Sequence, residues 1–213
     1  THVRTHATFL VDLSRGQQAC WDGASKVARK AVRKADSQGI TVRTVTDVAE
    51  LDTVLEILAQ AWDRQGSQYG RQRDVLDIYW NQLRPNGHVE FFIAEVDGVP
   101  AATMSVWQFN GFICEFLSGR THDADSKHLN VGDALKWAII KWACEKGYRT
   151  YDLAGVNPNP ASAKEHGIFS FKKKWGGRYV EYPIITKPIR QCSHALLSGS
   201  SRLLRHIRQR WLS

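Results

Sequence analysis

Two turn sequences, each set between strand-like segments, constrain the fold of this chain most strongly. Asp97-Gly98 and Asn110-Gly111 join the segments VEFFIAEV, VPAATMSVWQF and FICEFLSG. Asp-Gly and Asn-Gly are the pairs that two-residue hairpin turns favour, because both central positions need a positive φ. The pattern predicts an antiparallel meander of three strands over residues 89–119.

Helical periodicity on both sides of the meander predicts that helices cover its sheet. Ser14 and Gln17 have the spacing of a capping box at the start of a basic helix that ends at Gly39. The predicted helices are residues 14–39, 47–62, 74–83 and 130–146. Strand-like residues 149–153 follow the last helix directly, so this strand returns parallel to the meander or crosses over it. The expected fold class is α/β with a mixed central sheet.

Positive charge is concentrated at the C-terminal end of the chain. The net charge is +8, yet residues 164–213 carry 11 Lys and Arg against 2 Asp and Glu, and residues 1–163 carry 18 against 19. Such a basic end favours nucleic acid, a nucleotide or an anionic membrane as partner. Within it, leucines alternate with arginines over residues 196–211. This predicts a basic amphipathic helix that lies on an anionic membrane, clasps an RNA or docks on protein.

The segment GIFSFKKKWGGRYVEY, residues 167–182, combines three consecutive lysines with aromatic residues and a Gly-Gly pair. Ile168, Phe171 and Trp175 have the spacing of one buried helical stripe, and the glycines predict the helix end before a strand over residues 178–185. The lysines point in different directions on a helix, so only one or two of them can face a ligand. Two interpretations stay open: a phosphate-binding turn, or a solvated lysine run beside the core.

Composition adds expectations about the setting of the protein. The four cysteines stand singly, which predicts free thiols in a cytoplasmic protein, at most in contact with the inner membrane face, rather than disulfides. With 43% hydrophobic residues and eight tryptophans, the chain can bury a large core. It contains no apolar run of about 18 residues that would span a membrane. Because it starts at Thr1 with neither a signal peptide nor an initiator methionine, we expect it to be an excised or processed piece of a longer protein.

The order helix, helix, three-strand meander, helix, strand, helix, strand resembles that of GNAT acyltransferases. Within that fold the chain resembles the Fem-type aminoacyl transferases, through DLS (12–14) followed by a basic helix ending in RKADSQG (33–39), YDLAG (151–155) and GIFSFKKKWGG (167–177). The last segment matches the family pattern of Gly, an apolar residue, two residues, Phe-Lys, two residues and an aromatic-Gly pair. The family's Asp-Leu-Gly-Gly strand end is altered here, because Ala154 replaces the first glycine.

The resemblance implies a domain organisation and a reaction. Residues 1–45 would form a linking strand and basic helix, residues 46–190 the second GNAT-like domain of such an enzyme, and residues 191–213 a basic helix, with a further N-terminal domain expected before them. The implied reaction moves an amino acid from the 3′ end of an aminoacyl-tRNA to an amine on a peptidoglycan precursor or a peptide-like small molecule. Because an aminoacyl ester is already activated, no cofactor is expected.

The family's Phe-Lys pair falls on Phe171 and Lys172. The resemblance implies that Lys172 holds a phosphate and the developing oxyanion, and that Phe171 packs against the ribose or adenine, unless it is a plain core residue. Asp152, at a strand end, is a candidate to accept a proton or orient the amine, although a carboxylate in such a place more commonly caps a loop. The other candidates for substrate binding are Lys173, Trp175, Asn157, Arg64 and Asn130. The sequence has no metal-ligand spacing and no Ser-His-Asp arrangement.

Two other functions stay open. An acyl-CoA N-acyltransferase would hold pyrophosphate on the backbone N–H groups of a Gly-rich loop that begins the helix after the meander. That region reads SKHLNVGDAL, with one glycine and an aspartate, which argues against CoA. A non-catalytic module that binds RNA or a membrane through residues 164–213 would bind without turnover.

Overall fold

The computed structural model describes residues 2–64, 66 and 73–187. The strands are β1 (His2–Asp12), β2 (Ile40–Thr44), β3 (Val89–Val96), β4 (Val99–Phe109), β5 (Phe112–Arg120), β6 (Thr150–Asp152) and β7 (Arg178–Thr186). The helices are α1 (Gly16–Gly23), α2 (Lys26–Ser37), α3 (Glu50–Arg64), α4 (Arg73–Ile78) with a π-helical turn over Tyr79–Leu83, α5 (His122–Ser126), α6 (Val131–Glu145) and α7 (Ala163–Lys173). The expected α/β class is confirmed.

One mixed sheet runs through these strands in the order β2-β3-β4-β5-β6-β1-β7. The predicted meander is confirmed, because β3, β4 and β5 pair antiparallel. Both hairpin turns begin with a positive φ, 51° at Asp97 and 47° at Asn110. Of the two routes left open for the later strand, β6 takes the parallel one, next to β5.

The sheet opens where β5 and β6 meet. The two strands pair over three residues, from Phe112↔Thr150 to Cys114↔Asp152, and β5 then continues to Arg120 without β6 beside it. Just past this point a β-bulge leaves Phe116 without a register partner in β4. Ligands of open α/β sheets bind beyond the carboxyl ends of such strands, so the opening is the natural place for a site.

Helix α6 covers one face of the sheet, close to the predicted bounds 130–146. Its apolar side is buried against β2, β3 and β4. The core residues of this helix are Val131, Leu135, Ile139, Ile140 and Ala143. Two charged residues, Asp133 and Lys136, are buried beside them, so the interface contains ionic groups as well as an apolar core.

The predicted single helix over residues 14–39 is wrong, because the chain forms α1 and α2 with a break between them. Ala24 is extended, and the Ser25 hydroxyl caps α2 through the N–H of Ala28. The break lies against the glycine turn that follows α7: a Cβ on Gly176 would meet the Gly23 carbonyl oxygen at 2.2 Å. A tertiary contact therefore interrupts a segment that is helical by its own pattern.

The expected capping box of Ser14 and Gln17 does not form. Helix α1 starts at Gly16 without a side-chain cap, and the Ser14 hydroxyl donates to Asp12 Oδ1 at 2.6 Å. A capping box does start α7, where the Ser162 hydroxyl accepts from the N–H of Glu165 and the carboxylate of Glu165 accepts in return. The chain therefore contains a capping box at Ser162 and Glu165, but not at the predicted residues Ser14 and Gln17.

The predicted apolar stripe in the lysine segment is partly wrong. Trp175 is 1% exposed, as expected for a core residue, but it lies just after α7 rather than within it. Ile168 is 40% exposed and lines a cavity instead of the core. Phe169 packs edge-on against Phe9, so the helix also uses a face that the stripe did not include.

The described residues divide into two units, residues 7–180 and residues 2–6 together with 181–187. The first contains β1 from Ala7 on, α1 and α2 in the same core as α6. The basic helix predicted over residues 196–211 lies outside the described residues. In the described part of the chain, no helix is both long enough and apolar enough to cross a membrane.

Candidate active site

A cavity lies between strands β4 and β5 and helix α7, at the opening of the sheet. It has two adjoining lobes of about 490 Å³ and 600 Å³. Both lobes are lined by Met104, Ser118, Arg120, Lys164, Ile168 and Phe171. Three of these side chains are apolar and two are cationic. The cavity is therefore suited to a ligand with an apolar body and negative groups at its rim.

Lys172 is the member of the lysine segment that reaches the cavity, where it lines the larger lobe. Its Nζ donates to the carbonyl oxygens of Ala154, at 3.2 Å, and of Gly155, at 3.1 Å. Burial lowers the pKa of Lys172, and the charge of Asp152 opposes this shift. Two loop carbonyls thus fix the ammonium group, which keeps a further N–H to donate.

Asp152, the candidate base, faces protein groups. Its Oδ1 accepts hydrogen bonds from the Thr8 hydroxyl and, at 2.8 Å, from the N–H of Ala154. Neither lobe counts Asp152 among its lining residues in the described part of the chain. These contacts favour the loop-capping interpretation, in which Asp152 shapes the loop whose carbonyls hold Lys172.

Ala154 stands where the family has a glycine, and it adopts a glycine-like backbone. Its φ is +60°, in the left-handed region that residues with a Cβ avoid at a cost of about 1–2 kcal/mol. Its carbonyl nevertheless points at Lys172. The substitution therefore keeps the close backbone contact and adds strain to it.

The other two lysines have different surroundings. Lys173, a candidate for substrate binding, is exposed and lines neither lobe in the described part of the chain. Lys174 Nζ lies 2.5 Å from Asp133 Oδ1 of α6, and the two side chains are only 15% and 9% exposed. The same Nζ lies 4.2 Å from the centroid of the Phe171 ring. Lys174 therefore joins α7 to α6, a role that the sequence did not indicate.

A buried ionic cluster forms the floor of the larger lobe. Glu115 of β5 lines that lobe, and its Oε1 accepts from the Tyr151 hydroxyl at 2.6 Å and pairs with Lys136. Lys136 is fully buried, and this burial lowers its pKa well below the usual value. The charges of Lys172 and Lys174 lower the pKa further. The sequence held a signal for this cluster, since Glu115 occupies an inward position of an alternating strand.

The remaining predicted residues fall at several places. Phe171 lines both lobes, whereas Trp175 is wrong as a binding residue because it is buried in the core. Arg64 lines the smaller lobe, where it pairs with Asp125 at 3.0 Å and donates to the Arg120 carbonyl at 2.5 Å.

Two asparagines from the prediction serve local structure. Asn157 donates to Glu165 Oε1 at 2.9 Å and accepts from the N–H of Asn159, within the loop before α7. Asn130 precedes α6, and its N–H donates to Gln38 Oε1 at 3.0 Å. In the part of the chain that the structure describes, neither Asn157 nor Asn130 lines the cavity.

Metal-binding clusters and thiols are two further kinds of reactive group that a site can contain. Among the described residues, no group of three or more His, Cys, Asp or Glu side chains is placed to hold a metal ion. Burial, with a further contribution from Asp152, raises the pKa of the Cys114 thiol to about 12. A thiol with that pKa is a poor nucleophile near neutral pH.

The family model for the acetyltransferase (GNAT) domain matches residues 23–172. The chain belongs to this family. Its fold is similar to that in the crystal structure of FemX, with a TM-score of 0.72 and 15% identity over 84% of this chain and 61% of that one. It is also similar to L-PGS from Bacillus licheniformis, with a TM-score of 0.54 and 16% identity over 95% of this chain and 68% of that one.

A curated protein is similar to part of this chain in sequence. The lipid II:glycine glycyltransferase of Staphylococcus haemolyticus (strain JCSC1435) is 32% identical over 69 residues, which are 32% of this chain and 16% of that protein. The chain thus spans less than two thirds of both FemX and this glycyltransferase. The family match and the fold confirm the predicted GNAT-like domain, and the proteins to which this domain is similar include FemX and a lipid II:glycine glycyltransferase.

Proposed function

We propose that this chain transfers an aminoacyl group from the 3′ end of an aminoacyl-tRNA to an amine, with formation of a peptide bond. The observation that carries the proposal is the ammonium group of Lys172, fixed by two loop carbonyls at the wall of a cavity. The similarity to a lipid II:glycine glycyltransferase supports aminoacyl transfer as the reaction class, and the FemX-like fold fits it.

In this proposal Lys172 stabilises the oxyanion that forms when the amine attacks the ester carbonyl. The neutral amine forms the new C–N bond, the ester C–O bond breaks, and the ribose oxygen leaves with the proton of the amine. Removal of one preorganised donor to such an oxyanion typically costs a factor of about 10²–10³ in rate. Holding the amine next to an activated ester supplies much of the remaining acceleration without a dedicated base.

The other cavity residues receive roles that follow from their chemistry. Phe171 packs against the ribose or adenine of the terminal nucleotide, because it is the aromatic side chain common to both lobes. Arg120 and Lys164, which line both lobes, attract the RNA phosphates. Arg64, in the smaller lobe, contacts the acceptor.

The acceptor and the rest of the protein belong to the same proposal. The amine is on a peptidoglycan precursor or a peptide-like small molecule, and part of its site lies on a further N-terminal domain. The domain boundaries at residues 45/46 and 190/191, and contact of residues 196–211 with the inner membrane face, stay predictions.

Acyl-CoA-dependent transfer is the second candidate, because the matched family is described as an acetyltransferase domain. Such enzymes hold pyrophosphate at the start of the helix that corresponds to α6. Here Asp133 occupies the first turn of that helix and pairs with Lys174, and the Phe171 ring lies against Gly132. A carboxylate and an aromatic ring at this place disfavour pyrophosphate, so aminoacyl-tRNA is the favoured donor.

The test compares donors with an acceptor that needs no binding site of its own. The chain is incubated with hydroxylamine and with either a pool of labelled aminoacyl-tRNAs or labelled acetyl-CoA, and label in hydroxamate is measured above the uncatalysed background. Lys172→Met is the test variant, and Lys173→Met, one residue away and exposed, is its matched control.

Acceleration with aminoacyl-tRNA, lost in Lys172→Met and kept in Lys173→Met, is the expected result, and the labelled amino acid identifies the donor. Acceleration with acetyl-CoA alone would place the chain among acyl-CoA N-acyltransferases. Tight binding of tRNA with no acceleration from either donor would favour a binding module.

A further inference from the structure

Glu115 is distinctive among the charged groups of the larger lobe. The other charged residues that line this lobe in the described part of the chain are the cations Arg120, Lys164 and Lys172. The Glu115 side chain is 9% exposed, and its known partners both reach one oxygen, Oε1. Among the described residues, none of the observed hydrogen bonds reaches Oε2, so this oxygen is available to a ligand.

The surroundings of Glu115 suit it to bind a cation. The hydroxyl of Tyr151 donates to the carboxylate at 2.6 Å, and a donated hydrogen bond favours the charged form of a carboxyl group. Lys136, its only cationic partner among the described residues, is fully buried and carries a pKa lowered by burial and by two other lysines. A ligand ammonium at Oε2 would therefore meet the carboxylate oxygen that neither Tyr151 nor Lys136 contacts.

We propose that Glu115 binds the α-ammonium group of the aminoacyl donor while Lys172 faces its ester carbonyl. The inference rests on the proposed function and names the substrate class of that same site. In an aminoacyl ester the α-nitrogen and the carbonyl oxygen are borne by adjacent carbon atoms, so one lobe that holds both a carboxylate and an ammonium can bind both ends. The cations Arg120, Lys164 and Lys172, which also line this lobe, repel the ligand ammonium and so favour its position at Glu115.

This arrangement has a consequence for specificity. A donor whose α-nitrogen is acylated, or replaced by a hydroxyl group, has no positive charge to offer and leaves Oε2 without its partner. Loss of such a hydrogen bond to a buried charged group lowers the binding affinity by about tenfold or more. The site therefore selects esters of free α-amino acids over esters of N-acylated amino acids and of hydroxy acids.

The test measures binding of stable donor analogues, which needs neither turnover nor an acceptor. The probes are 3′-deoxy-3′-glycylaminoadenosine, whose amide replaces the ester, and its N-acetylated form, titrated calorimetrically into the chain. Glu115→Gln removes the charge and keeps the shape. Glu95→Gln is the matched control, because Glu95 is also partly buried and paired, with Arg43, but lies away from the cavity. Glu115→Gln/Lys136→Met removes both charges together and serves if the single variant fails to fold.

The expected result is that the wild-type chain prefers the free-amine analogue by at least tenfold, that Glu95→Gln keeps this preference, and that Glu115→Gln reduces it to within about twofold. The wild-type preference also disappears as pH rises through the ligand's own α-amino pKa of about 8, a readout that needs no variant. The inference is overturned if the wild type binds both analogues equally, or if the preference persists in a folded Glu115 variant.

The failure of the inference differs from failure of the proposed function. Equal binding of both analogues by the wild type leaves the aminoacyl-adenosine site in place and removes only the role of Glu115. Absence of binding to either analogue refutes the donor itself and, with it, the inference.

Discussion

Replacement of Lys174 by methionine should destabilise the protein, whereas the same change at the exposed neighbour Lys173 should be tolerated. Lys174 Nζ lies 2.5 Å from Asp133 Oδ1, and the side chains are 15% and 9% exposed. Removal of one partner leaves a nearly buried carboxylate without its counter-ion, which costs about 3–5 kcal/mol. For a domain of this size, each 1 kcal/mol corresponds to about 2–4 °C in melting temperature. Even at the lower end we expect a loss of about 6–12 °C.

The assay is thermal and urea-induced unfolding of four proteins in parallel. Lys173→Met, at an exposed position, should stay within about 0.5 kcal/mol of the wild type. The double variant Asp133→Leu/Lys174→Met replaces the pair by apolar side chains and should recover most of the loss. If Lys174→Met unfolds like Lys173→Met, the ion pair between α6 and α7 is not a stabilising contact and the structural role given to Lys174 is refuted.

Three further predictions concern the loop that holds Lys172. Ala154→Gly should raise the free energy of unfolding by about 0.5–1 kcal/mol in urea, because it relieves the left-handed strain and gives back part of the gain as chain entropy; a loss of stability would contradict this. The transfer rate, corrected for ester hydrolysis in buffer, should fall as pH rises, with a midpoint below the usual lysine pKa of 10.5. Burial lowers the pKa of Lys172, and only its protonated ammonium form can donate a hydrogen bond to the oxyanion. Asp152→Asn should move that fall to still lower pH, since the charge of Asp152 raises this pKa; an unchanged or higher midpoint would argue against the assignment.

The sheet was predictable because its signals are local. Asp97-Gly98 and Asn110-Gly111 fix two hairpins by turn chemistry alone, and the strands of the meander begin and end close to the predicted residues. The break after Gly23 was not predictable, because it depends on Gly176, more than a hundred residues away. Periodicity reports the preference of one segment and carries no information about its distant neighbours.

The candidate site was predictable only in outline. The motif located Phe171 and Lys172 in the cavity wall, but the different surroundings of three adjacent lysines follow from where α7 lies, which no sequence pattern encodes. Glu115 and Lys136 were visible as charges at apolar positions, and such a charge is usually either paired or functional. That Glu115 and Lys136 pair with each other can be seen only in the structure, because they belong to different elements, β5 and α6.

The central claim is that Lys172 stabilises the transition state of aminoacyl transfer. The most direct measurement is the single-turnover rate of transfer from the donor identified above, compared for the wild type, Lys172→Met and Lys173→Met at a temperature where all three are folded. The account predicts a loss of about 10²–10³-fold in Lys172→Met, with donor binding largely kept, and a rate within about threefold of the wild type in Lys173→Met. Equal rates for the two variants would contradict it.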